Sequence, residues 1–199
     1  KILPGLAHSI LNKIEKYGKP LHKWDIEINC GIKTGYNEAF IIDSDAKDEI
    51  LNKCTDTAER DRTEKLIRPV LRGRDIKRYS IDWQDLWLIG TFPSLKLNID
   101  NYPSLKLYLK SFGKRLDQTG AKGSRTKTSN KWFETQDAIK YHSLFINEKI
   151  VWGNIESYSS FALSTDHVYI NASANLLTSD KVNLMFLLSV LNSKLFYWE

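Results

Sequence analysis

Two short stretches hold the side chains best suited to gripping a polyanion and inspecting its edges. Gly31 to Phe40 (GIKTGYNEAF) is a glycine-bounded loop that carries Lys33, Thr34, Tyr36 and Asn37. An Asn amide can pair with adenine through two hydrogen bonds, and a Lys can reach a guanine edge or a phosphate. Gly31 and Gly35 free the backbone for positive φ and for close approach to a partner. Arg68 to Tyr79 (RPVLRGRDIKRY) gathers Arg68, Arg72, Arg74, Lys77 and Arg78 around Gly73, with Asp75 as the one acid. Like charges at that density repel unless an anion or solvent takes them up. Asp75 offers another outlet, a bidentate bridge to Arg72 or Arg74. A polar hairpin and a solvated basic face are the plain alternatives for the two stretches.

A third basic region sets Lys110, Lys114, Arg115, Lys122, Arg125, Lys127 and Lys131 against Asp117. Its Gly120 to Thr128 part (GAKGSRTKT) has no apolar anchor and reads as a mobile loop. Hydroxyls among cations suit a segment that orders on a nucleic acid, and equally an ordinary flexible loop. Trp132 and Phe133 follow, as base-stacking platforms or as core.

Enzymatic patterns are sparse. A nuclease pattern of two carboxylates and a lysine can be laid on Asp61, Asp75 and Lys77, but without the Pro-Asp that usually opens it. His8, His22, His142 and His167 show no HxH or HxxxH spacing, and Cys30 and Cys54 form no CxxC, so metal ligation lacks a framework. No GxGxxG, P-loop or Asn-Pro-Pro-Tyr is present, which leaves no cofactor or methyl-donor loop in these residues. A protein-docking role for the basic face is a third class of function that charge alone leaves open.

The elements that must position these loops follow from composition and period. The chain has 199 residues, a net charge of +5 and 42% hydrophobic content, enough for a real core and too apolar for disorder. Two thiols without a disulfide framework fit a reducing cytosol. No apolar run is long enough to cross a membrane, and the start is not a signal peptide. It begins at Lys rather than Met, and reads as a fragment of something larger.

His8 to Tyr17 has helical spacing with Gly18 as its stop. Leu21 to Ile28 and Ala39 to Ile42 read as strands on either side of the glycine loop, which becomes a strand-to-strand turn. Asp45 to Cys54 and Asp61 to Ile67 read as helices, Leu86 to Ile89 as a buried strand. Tyr102 to Leu116 is a helix with Pro103 in its first turn. Lys149 to Trp152 and Val168 to Ile170 are strands. Asp180 caps a last helix running to Trp198, with Val182, Met185, Phe186, Leu188, Leu191 and Leu195 as its apolar face. The expected fold is α+β, a twisted and mainly antiparallel sheet with flanking helices and a C-terminal helix.

Six landmarks in order then carry a resemblance: GIKTGYNEAFIID, LIRPVLRGRDIKRY, NYPSLKLYL, KWFETQDAI, KIVWGNIESYSSFALSTDHVYIN and LLSVLNSKLFYW. The sequence from about residue 21 to 199 resembles the TaqI-like C-terminal specificity domain, the target-recognition module of type IIG restriction-modification enzymes and adenine-N6 DNA methyltransferases. Relatives usually carry Arg-Asp after the Trp-aromatic-Glu segment; here it is Gln136-Asp137. The resemblance implies residues 1–20 as a connector from an upstream methyltransferase domain that uses S-adenosylmethionine, with a Mg²⁺-dependent nuclease domain before it in many relatives. It implies double-stranded DNA as partner and no catalysis in the fragment. On that footing Lys33, Thr34, Tyr36 and Asn37 are candidates for base or backbone contacts. Arg72, Arg74, Lys77 and Arg78 would grip phosphate, with one Arg free to read guanine, and Lys122, Arg125 and Lys127 would close over the duplex.

Overall fold

The computed structural model describes residues 5–155, 160–194 and 196. The helices are α1 (Gly5–Tyr17), α2 (Asn37–Phe40), α3 (Ser44–Asn52), α4 (Thr57–Leu66), α5 (Pro103–Lys110) and α6 (Leu184–Leu191). The strands are β1 (Glu27–Cys30), β2 (Ile41–Ile42), β3 (Ile67–Leu71), β4 (Ile76–Lys77), β5 (Ser80–Ile81), β6 (Trp87–Ile89), β7 (Lys149–Gly153), β8 (Phe161–Ser164), β9 (Tyr169–Ile170) and β10 (Ala174–Thr178). One sheet has the order β1-β10-β7-β8, a second β2-β6-β3-β9, and β4-β5 is a small hairpin. Pairing is antiparallel throughout these ladders except for β3 beside β9. The fold is α+β, as expected, but with two sheets of four strands where one sheet is expected.

The two sheets face each other across a shared core of Val70, Leu88, Phe92, Phe145, Val151 and Leu176. The outer face of the second sheet turns Ile42, Ile67 and Ile89 towards Ile50, Leu105 and Leu109 of α3 and α5. On the first sheet, Ile150 and Leu177 meet Leu184, Leu187, Leu188 and Leu191 of α6. The inner strands of both sheets are therefore covered on both faces, while the edge strand β1 stays largely exposed. Neighbouring residues such as Ile150 and Val151 are both buried, so the strands read as continuous apolar runs rather than as alternation.

Local chemistry sets the helix ends. The Asp43 carboxylate accepts from the Ala46 amide at 2.8 Å, and Asp56 from the Glu59 amide at 2.6 Å. Pro103 opens α5 as expected, but the α-helix stops at Lys110 and gives way to a 3-10 turn over Gly113–Leu116. Gly113 has φ +55°, which an α-helix does not accommodate.

The last helix corrects its sequence reading. Asn183, not Asp180, caps it, its side chain accepting from the Phe186 amide at 2.8 Å. The buried stripe is Leu184, Leu187, Leu188 and Leu191, the spacing of one helix face. Met185 and Phe186, expected inside, are 60% and 59% exposed. The expected extension through Leu195 and Trp198 lies outside the described residues.

Glu59 ties the helical layer together. One carboxylate oxygen accepts from the Thr55 amide at 2.7 Å and the Thr55 hydroxyl at 2.8 Å. The other accepts from the Ser104 amide at 2.8 Å, capping the first turn of α5. Burial raises the Glu59 pKa, but the bonds from Ser104 and Thr55 outweigh it, and the carboxyl lies below its ordinary value. Its contribution to stability is thus complete above the unfolded value and is lost as pH falls through the folded one. Glu59→Gln should cost about 1–3 kcal/mol at neutral pH, through donors left without their acceptor. The deficit should shrink at acid pH, once wild-type Glu59 is itself protonated. Denaturant unfolding at neutral and acid pH checks this; equal stability at neutral pH would contradict it.

Candidate nucleic-acid interface

The glycine loop and the Arg-Gly-Arg turn meet on one short segment, Ile170 to Ala174. On one side the Ile32 amide donates to the Ile170 carbonyl at 2.6 Å and the Ala172 amide to the Ile32 carbonyl at 3.0 Å. The Gly31 amide donates to the Ala174 carbonyl at 2.9 Å. On the other side the Asn171 amide donates to the Leu71 carbonyl at 2.9 Å, and the Gly73 amide to the Ser173 hydroxyl at 2.9 Å. Both glycines are there for closeness. A Cβ on Gly31 would stand 2.1 Å from the Asn171 carbonyl oxygen, and one on Gly73 2.5 Å from that of Ser173. Gly31 therefore approaches the protein's own backbone, not an external partner, and positive φ belongs to Gly35, at +81°.

The glycine loop is not the expected hairpin turn. It leaves β1 in the first sheet and passes through α2 into β2 in the second. Thr34 is buried, and its hydroxyl donates to the Asn37 side-chain oxygen at 2.7 Å and accepts from the Tyr36 amide at 3.2 Å. Thr34 thus holds the Asn37 amide in place rather than touching a ligand. Tyr36 is half-buried, edge-on to Phe112, and its hydroxyl accepts from Arg115 at 3.3 Å. Lys33 and Asn37 are exposed. Residues 32–38 with Asn171 and Ala172 line an open depression of about 380 Å³.

The Arg-Gly-Arg turn resolves its charge internally in part. Asp75 is buried and receives Arg72 through Nε at 2.9 Å and Nη2 at 2.8 Å, and the Arg72 amide at 2.8 Å. The expected bidentate bridge exists and it selects Arg72, so Arg72 is not the free phosphate-gripping cation of the sequence reading. This also removes the nuclease alternative's central residue, because both Asp75 oxygens are occupied. Arg78 donates to the Asn192 carbonyl at 2.6 Å, at the C-terminal end of α6, which makes it a fastener of that helix. Arg74 and Lys77 are exposed, Lys77 donating to the Arg74 carbonyl at 2.7 Å.

Arg125 is the largest correction. It is 4% exposed. Its guanidinium donates to the Leu116 carbonyl at 3.0 and 2.7 Å, to Thr34 at 3.0 Å, to Glu134 at 2.7 Å and to Trp132 at 2.6 Å. Burial pulls its pKa down to about 10, which still leaves it charged at neutral pH. Arg125 closes over carbonyls, not over a duplex. The Gly120–Thr128 loop is correspondingly tied, with Gly120 donating to the Arg125 carbonyl at 3.0 Å and Arg125 to the Asp117 carbonyl at 2.8 Å. Lys122 and Lys127 remain exposed on it. Trp132 and Phe133 pack into the helical-layer core.

A continuous path of contacts results: the Lys122/Lys127 loop, through Arg125 to Thr34, through Ile32 to Asn171, and through Ser173 to Gly73. Three side chains join it that were not nominated from the sequence. Arg115 meets Tyr36, and Ser173 and Asn154 fix the turns. Arg115 carries a signal, since it lies in a noted basic run; Asn154 and Ser173 sit in short polar runs with none. Gln136 braces the loop through its backbone, donating to the Thr34 carbonyl at 3.1 Å. Its side chain lies 2.9 Å from where a Gly35 Cβ would be.

Residues 68–199 match the family of the TaqI-like C-terminal specificity domain. The chain belongs to this family. The match begins later than the residue-21 start read from the sequence landmarks, so it takes in the Arg-Gly-Arg turn and the 170–174 segment while the glycine loop precedes it. Among solved structures, this specificity-domain chain is similar to the type IIL restriction-modification enzyme MmeI, solved in complex with DNA. The TM-score is 0.51 and the identity 13%, over 86% of this chain and 21% of that one. The likeness is therefore one of fold, and the chain spans about a fifth of that relative's length. No curated protein matches the chain.

If Arg125 is a brace, charge alone will not replace it. Arg125→Lys should lower unfolding stability by at least about 2 kcal/mol, because buried carbonyls lose donors that a Lys cannot all supply. Unchanged stability with weakened polyanion binding would contradict the assignment.

Proposed function

We propose that this chain recognises a target sequence in double-stranded DNA, as the non-catalytic specificity part of a restriction-modification enzyme. The observation that carries the reading is the joining of the glycine loop and the Arg-Gly-Arg turn on one backbone segment. Forty residues apart in sequence, they become neighbouring parts of one surface. In this reading Lys33, Arg74, Lys77, Lys122 and Lys127 meet phosphates and fix the register of the chain on the duplex. Asn37, oriented by Thr34, faces a base edge. Arg72, held flat by Asp75, presents its remaining guanidinium edge beside it.

Membership of the specificity-domain family supports this, as does the DNA bound in the MmeI structure. In the same reading α1 connects to an upstream adenine-N6 methyltransferase domain of the type IIG arrangement, and a nuclease domain precedes that. S-adenosylmethionine and Mg²⁺ would bind those domains, and the cytosol would be the working compartment, where Cys30 and Cys54 stay as free thiols. Here the described residues hold no group of three or more His, Cys, Asp or Glu placed to ligate a metal.

Counterion release gives the test. Five phosphate contacts predict a log-log salt slope of about −4.5 for binding to a duplex. The double variant K33A/R74A should bring the slope to about −2.7 and weaken all sequences alike. Asn37→Ala should instead relax preference at one base pair, by about 1–3 kcal/mol. Titration of labelled duplexes at several salt concentrations measures both; salt-independent binding, or none, would overturn the reading.

A further inference from the structure

We propose that Ile155 is an apolar base-contact residue that takes the 5-methyl group of a thymine in the major groove. The inference rests on the DNA reading above and adds a specificity determinant to it. Its basis is a contrast between the fixity of one residue and the exposure of the next. Asn154 is held by three bonds, two to the segment that joins the two loops and one to Asn175 just beyond it. Its amide donates to the Ser173 carbonyl at 2.9 Å and its side chain to the Ala172 carbonyl at 2.8 Å. Its side-chain oxygen accepts from Asn175 at 2.6 Å. Gly153, just before it, presses on the Arg-Gly-Arg turn, its Cα lying 3.3 Å from where a Gly73 Cβ would be.

Ile155 follows this anchored pair and is 96% exposed, beyond any other exposed large hydrophobic side chain of the described residues; Tyr17 comes next at 76%. Isolated surface hydrophobics are common and mostly carry no message. This one differs in being delivered by a backbone clamped to the candidate interface. Its β-branched side chain also has little rotamer freedom to lose on contact. The turns that the clamp holds together are polar and cationic on their outer side: Ser173, Asn154 and Arg74 are all exposed. On a base edge lined with donors and acceptors, the thymine methyl is the apolar feature that a side chain of this kind complements. Lys33, Arg74 and Asn37 offer charge and hydrogen bonds; Ile155 supplies the one contact they lack.

The test uses the full chain. A preferred duplex is first selected from a randomised pool, and each thymine in it is then replaced singly by deoxyuridine, which removes only the methyl. One replacement should weaken wild-type binding about fourfold, the value of one buried methyl at ~0.8 kcal/mol. Ile155→Ala should bind the thymine and deoxyuridine duplexes equally, and Ile155→Val should keep most of the discrimination. The proposal is overturned if no replacement affects wild type, or if Ile155→Ala keeps the difference. It is also overturned if Ile155→Ala weakens every duplex alike, as loss of a non-specific wedge would. Failure of the underlying DNA reading looks different: wild type would then select no duplex at all.

Discussion

Close backbone contact at the Ile170–Ala174 segment is the constraint on which the arrangement depends. Two loops far apart in sequence dock on it from opposite sides, and at each dock a glycine leaves no room for a Cβ. The bonds are largely main-chain, so they specify geometry without drawing on the side chains that face outward. Lys33, Asn37, Arg74 and Asn154 are thereby presented from a fixed frame, not from independently moving loops. A recognition surface built in this way loses little conformational entropy on binding, because the ordering is already done in the free chain.

The distribution of positive charge follows a second rule. Cations that sequence alone would assign to a polyanion divide into those spent inside and those left outside. Arg125, Arg72 and Arg78 are spent on carbonyls or on Asp75. Lys149 behaves similarly: fully buried, it donates to the carbonyls of Phe145, Asn147 and Asp166. Arg125 and Lys149 each gather several carbonyls of irregular connections, groups that would otherwise lack a donor. The planar, many-donor guanidinium suits that task, which explains why an Arg, not a Lys, occupies the crowded centre at residue 125. The outward-facing remainder is mostly lysine.

Much of this was legible in the sequence, and the failures have physical causes. Pro103 and the apolar runs of β6 and β7 gave those elements near their true places, since local chemistry decides them, whereas the helix starts read at Asp61 and Asp180 lie away from the true caps, Asp56 and Asn183. The glycine loop and the Arg-Gly-Arg turn were visible as composition, and Asp75 was identified as a bridging acid. The loop's passage between two sheets was not legible, because it is decided by the pairing of β1 with β10 and of β2 with β6, strands distant in sequence. Arg125 was misread because its burial depends on carbonyls contributed by Thr34, Leu116, Trp132 and Glu134 together, which no local pattern encodes. In α6 a nearly all-apolar run hid which stripe faces inward. The Ile170–Ala174 segment carries small and polar residues with no periodicity, so its central position emerged only from tertiary contacts.

In the proposed role the two loops and the segment between them act as one unit on duplex DNA. Amide hydrogen exchange of the chain with and without duplex tests this most directly. Protection should rise together in the amides of residues 31–37, 72–75 and 170–174, while those of α6 keep their free-state rates. Slowing confined to one loop, or centred on α6 with both loops unchanged, would contradict it.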